Sequence, residues 1–97
     1  MRQFQVCHYP AKQDVSDCGA LWRDFAPDVN ETCVMCLDEW NRLGRPDGDE
    51  YSKFYVNLEE GARYLVDLKT MTQTRIWVSE GQECKGQVRQ LRVCVLD

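Results

Sequence analysis

The chain has 97 residues, 43% of them hydrophobic, a formal net charge of −4 and six cysteines. That length holds one core and leaves no room for a second domain, so residues 1–97 are read as one globular unit. Three Trp, three Phe and four Tyr exclude a disordered chain, and the acidic balance argues against a general nucleic-acid binder, which needs clustered Lys and Arg.

The first segment, Arg2 to Cys7, alternates Phe4 and Val6 with Gln3 and Gln5 and predicts a short strand. Tyr9-Pro10 ends it. From Asp14 to Phe25, Val15, Cys18, Leu21, Trp22 and Phe25 recur at helical spacing. Asp14 or Ser16 is the expected cap of this first helix, and Pro27 its stop. Asn30 to Leu43 predicts a second helix, capped by Asn30 or Thr32 and ended at Gly44, with Cys33, Cys36, Leu37, Trp40 and Leu43 on its apolar stripe.

Arg45 to Glu50 reads as a turn-forming loop, after which the period changes from helical to two. Tyr51 to Leu58, Arg63 to Lys69, Thr74 to Ser79 and Gln87 to Leu96 then predict four strands in a meander. A helix from Leu58 to Lys69 is the main competitor, disfavoured by Gly61. Cys84 falls in a loop, Gly81 to Gly86. The expected order is β-α-α-β-β-β-β. This is an α+β domain with an antiparallel sheet of four to five strands and two helices packed on one face.

Two cysteines, Cys33 and Cys36, form the only C-x-x-C pair. A zinc site needs four ligands. The set that could supply them is Cys33, Cys36, Cys7 and His8, provided the fold brings the end of the first strand to the start of the second helix. A thiol switch would need one of the pair in the first helical turn, where the helix dipole lowers a thiol pKa. The plainer expectation is that both thiols are core residues on the stripe with Leu37 and Trp40, and that no cofactor is bound. Cys84 and Cys94 are the pair expected to be exposed or bridged locally.

His8 is the only histidine, and its neighbour Cys7 points to the opposite side of a strand, so the two make no nucleophile–base dyad. No nucleophile elbow, phosphate-cradling loop or metalloprotease pattern occurs, so no enzymatic activity is expected. Asp47-Gly48-Asp49-Glu50 resembles only a fragment of a calcium loop and reads as a solvated turn.

Charge is divided unevenly along the chain. Asp14 to Glu50 holds ten acidic residues against Arg23, Arg42 and Arg45, whereas the remainder to Asp97 is nearly neutral. Asp14, Asp17, Asp24, Asp28, Glu31, Asp38 and Glu39 are expected to project from the two helices and their connection. Such a face keeps a protein soluble, and it can also steer a basic partner onto itself. Lys85, Arg89 and Arg92 offer a weaker basic patch near the last strand.

The expected function is a non-enzymatic protein-binding module whose partner has a basic surface. A small inhibitor of a nucleic-acid-handling defence complex, of the anti-CRISPR or antirestriction type, fits that description. It would bind no nucleic acid and no membrane itself, and could pair into a homodimer through an open strand edge. Two other readings stand beside it. One is a zinc-binding or thiol-switch regulator built on Cys33 and Cys36, and the other a secreted, disulfide-linked module. No stretch approaches the ~18 apolar residues that cross a bilayer. Residues Met1 to Val6 carry no signal-peptide run. A cytoplasmic location is therefore expected if Met1 is native, and a secreted one if it is not.

Overall fold

The structure is a computed structural model and describes residues 1–10, 22–59 and 62–95. Six strands form one antiparallel sheet in the order β2-β1-β6-β5-β4-β3. They are β1 Arg2–Pro10, β2 Trp22–Asp24, β3 Lys53–Glu59, β4 Ala62–Asp67, β5 Thr72–Ser79 and β6 Gln82–Val95. The long helix is α1, Pro27–Arg42, and α2 is a single turn, Asp49–Ser52. The α+β class holds, with six strands rather than four or five. The chain order among the described residues is β-β-α-α-β-β-β-β.

The largest correction falls on the first predicted helix. Residues 14–21 lie outside the described residues, but Trp22–Asp24 is strand β2, paired antiparallel with Gln5 to Cys7. Trp22 and Phe25 share a helical spacing for another reason. Phe25 follows the strand as the chain turns, buries against the core and stacks on Phe4 with ring centroids 6.2 Å apart. Three residues of strand are too few to show a period of two, so the pattern was ambiguous.

α1 starts at Pro27, whose missing N–H and fixed φ suit the first helical position. Asn30 and Thr32, the expected caps, therefore lie inside the helix. The other end matches the expected stop. Gly44 takes a φ of +83°, its N–H donates to the Asn41 carbonyl, and the Arg45 N–H reaches back to Trp40. This is the paired bonding by which a left-handed glycine closes a helix. Asp49–Ser52 forms its helical turn just before β3, where loop and strand were expected.

The meander is as the alternating pattern predicted, and a helix over Leu58 to Lys69 is not formed, since β3 and β4 pair from Lys53–Asp67 to Glu59–Ala62. Glu80 and Gly81, with φ of 52° and 76°, close a two-residue hairpin between Ser79 and Gln82. That tight turn carries β6 back as far as Gln82, so Cys84 is in a strand and not in a loop. Thr74 faces Val88 but Ile76 faces Lys85, which leaves Arg75 opposite both Gly86 and Gln87 in a bulge.

One face of the sheet packs on α1. Phe4, Leu91, Val66, Leu68 and Val56 meet Phe25, Val29, Cys33 and Trp40 there. Cys7 and Ile76 are buried on the opposite face. Asn30 ties the helix to the sheet. β2 has ended by Phe25, and the Asn30 side chain continues the ladder in its place. Its Oδ1 accepts the Phe4 N–H at 2.7 Å and its Nδ2 donates to the Arg2 carbonyl at 3.0 Å.

Replacing Asn30 with Leu should leave two strand groups of β1 without partners in a site that is 7% exposed. A loss of about 3 kcal/mol in unfolding free energy is expected. Urea unfolding measures it, and a loss under 1 kcal/mol would show that water replaces the amide.

Candidate functional site

The outer stripe of α1 is built by helical geometry. Asp28, Glu31, Met35 and Asp38 follow one another at three- and four-residue steps and so share a face. Met35 is 63% exposed. A groove of about 640 Å³ lies between this part of the helix and the start of β1, walled by Pro27, Val34, Met35 and Met1, with Glu31 also lining it. A second, shallower groove of about 230 Å³ runs between Asp28, Val29 and Thr32 on one side and Tyr55, Val56 and Asn57 of β3 on the other. α1 thus has neighbours from both β1 and β3, which lie four strands apart in the sheet.

The seven acidic residues expected to form one surface fall into three groups. Asp14 and Asp17 lie outside the described residues. Asp38 and Glu39 are neutralised within the molecule. Asp38 takes a bidentate contact from Arg2 at 2.6 and 2.7 Å, and that guanidinium holds its carboxyl below the ordinary range. Arg42 grips Glu39 with the same effect on its carboxyl. Asp24, Asp28 and Glu31 remain at the corner where β2 enters α1. Asp24 accepts a hydrogen bond from Gln5 Nε2 at 2.6 Å, while Asp28 and Glu31 form no ion pair among the described residues. Asp28 also sits in the first helical turn, where the dipole favours its charge. Asp24 projects from a strand, so the surface is a strand–helix corner and not a layer of two helices.

The fragment read as a solvated turn is partly paired as well, with Asp47 beside Lys69 at 3.7 Å and Asp49 beside Lys53 at 3.4 Å. Lys85, Arg89 and Arg92 do not gather into one patch. Arg89 faces the same way as Leu91, whereas Arg92 points to the opposite side. There it stacks on Trp22 at 4.4 Å and donates to Gln5 Oε1 at 2.7 Å.

The thiols are distributed by the same strand parity. Cys33 is fully buried in the α1 core and Cys36 half-buried beside it, but Cys7 is buried on the other face of the sheet. The sheet therefore separates Cys7 from the C-x-x-C pair, and the four proposed zinc ligands are not brought together. The side chain of His8 lies outside the described residues. Among the described residues, no group of three His, Cys, Asp or Glu side chains could hold a metal. Cys33 stands a full turn and more inside α1, beyond reach of the dipole effect a thiol switch would use. The five described cysteines are free thiols. Cys84 and Cys94 sit near opposite ends of β6, about 30 Å apart at a strand's rise, too far to bridge each other.

No known protein family, curated protein or solved structure matches this chain. No helix among the described residues is long and apolar enough to cross a membrane.

Burial, and secondarily the Cys36 thiol, pushes the Cys33 thiol from its ordinary 9.0 up to about 12. Below 9.0 the thiol is protonated in folded and unfolded chains alike and stability does not respond. Between 9.0 and about 12 only the unfolded chain ionises, so stability falls as pH rises. Urea unfolding at pH 8 and pH 10.5 should show this decline, and Cys33→Ala should flatten it. An equal slope in the variant would assign the decline to other groups.

Proposed function

We propose that the protein is a non-enzymatic binding module that docks a basic partner protein along the outer stripe of α1. One observation carries this reading. An exposed methionine, Met35, stands over an apolar groove, and two carboxylates on the same stripe, Asp28 and Glu31, have no cation of their own among the described residues. Methionine adapts its shape to an incoming surface. Uncompensated acidic charge beside it raises the rate of encounter with a basic surface and sets the orientation of docking.

Asp38 and Glu39 contribute little to such a contact, because Arg2 and Arg42 already hold them. Asp24 extends the acidic corner onto β2. A partner that presents Lys or Arg around an apolar side chain complements this surface. Nucleic-acid-handling proteins present such basic surfaces in their binding channels. An inhibitor of the anti-CRISPR or antirestriction type, which would occupy that channel, is the form of this function we favour.

Tagged protein incubated with purified CRISPR effectors and restriction enzymes tests the reading by biolayer interferometry. At least one such complex should bind, with affinity that falls as salt rises. Asp28→Lys with Glu31→Lys should weaken binding about tenfold or more, while Glu39→Gln should change it less than twofold. Binding insensitive to the double reversal would remove the acidic stripe from the interface.

A further inference from the structure

We propose that a second site, on the part of the sheet α1 leaves uncovered, binds a small oxyanion that also carries a hydrogen-bond donor. It is a concavity of about 240 Å³ at the β5–β6 bulge, lined by Gln73, Arg75, Trp77, Tyr64, Gly86 and Arg89, with Gln87 beside them. It shares no residue with the α1 groove and does not depend on the docking function above.

Three features point to an anion. Arg75 is exposed and forms no ion pair or hydrogen bond among the described residues. Its guanidinium lies over the Trp77 ring at 5.7 Å, which pre-orients the planar fork for a bidentate acceptor. Arg89 enters from β6 directly opposite Gln73, one diagonal step from Arg75, and none of the described lining residues carries a carboxylate. The charge offered to a ligand in the hollow is that of Arg75.

Gln73 decides which anion. It is 4% exposed, and its Oε1 is buried and accepts no hydrogen bond among the described residues. A buried carbonyl requires a donor. An anion offering only lone pairs leaves it unsatisfied, whereas one with an O–H or N–H beside the charge satisfies it while Arg75 holds the charged oxygens. Hydrogen phosphate and hydroxycarboxylates have this combination, and sulfate and simple carboxylates do not.

The bulge creates the space. Two residues of β6, Gly86 and Gln87, stand against the single Arg75, and Gly86 removes the side chain that would fill the gap. A Cβ at Gly86 would meet Trp77 Cζ3 at 3.3 Å and Arg75 Cβ at 3.4 Å. The bulge thus lets the Trp77 ring lie close to the strand with Arg75 over it.

The test is a titration followed by 1H–15N NMR on the Trp77 indole and Gln73 carboxamide signals, at pH 7 and fixed ionic strength. Sodium phosphate is compared with sodium sulfate, and glycolate with acetate. Saturable shifts are expected with phosphate or glycolate, with sulfate and acetate at least tenfold weaker. The tighter of phosphate and glycolate identifies the ligand's charged group as phosphate or carboxylate. Arg75→Gln should abolish saturation. Gln73→Leu should retain the fold and bring phosphate and sulfate to equal affinity. Absence of saturable shifts, equal binding of sulfate and phosphate by the unaltered protein, or unchanged binding in Arg75→Gln would each overturn the proposal.

Discussion

The fold depends on a single buried amide. Strand β2 is only three residues long and stops at Asp24, yet β1 continues past it with backbone groups still to satisfy. Asn30 fills that gap from the first turns of α1, accepting from Phe4 and donating to the Arg2 carbonyl. Phe25 N–H meets the Phe4 carbonyl alongside it. A carboxamide reproduces the pattern of a peptide group, so the helix takes the place of the missing strand residues. This contact orients α1 over the sheet, and the orientation places both Cys33 in the core and Met35 in solvent.

The position of α1 also decides what is left open. The sheet face it packs on is longer than the helix is wide, so Tyr64, Arg75, Trp77 and Arg89 remain beyond its cover. The outer stripe of the helix bears carboxylates, whereas the uncovered sheet bears guanidiniums. Intramolecular pairing sharpens this contrast, because Arg2 and Arg42 withdraw Asp38 and Glu39 from the acidic stripe and leave Asp28 and Glu31. The proposed docking and anion sites thus carry opposite signs on separate surfaces.

The cysteines show how far composition can mislead. Six cysteines in a short chain suggest ligands or bridges, but the five described ones are free thiols, and Cys7 and Cys33 are buried in the protein's interior. Cys33 is buried in the core cluster that contains Phe4, and burial keeps it protonated. Cys7 is buried on the other face of the sheet. Cys94 donates to Gln5 Oε1, joining the polar cluster of Gln5, Asp24 and Arg92.

Local chemistry in the sequence determined the helix at Cys33 to Trp40, its glycine stop at Gly44, the four-strand meander and the α+β class. Each of these follows from a repeat or a turn residue within a few positions. Acidic residues on the helix were legible too, though not which of them would be neutralised, since Arg2 and Asp38 are 36 positions apart. Strand β2, the role of Asn30 and the hollow around Gln73 were decided only by tertiary structure. A three-residue strand has no readable period, and an asparagine near a helix start looks like a cap. Gln73 falls just outside the predicted strand Thr74 to Ser79, and only the hairpins set it opposite Val66 and Arg89. Pairing across the sheet depends on register, and register is set by distant partners and by a bulge that no local pattern announces.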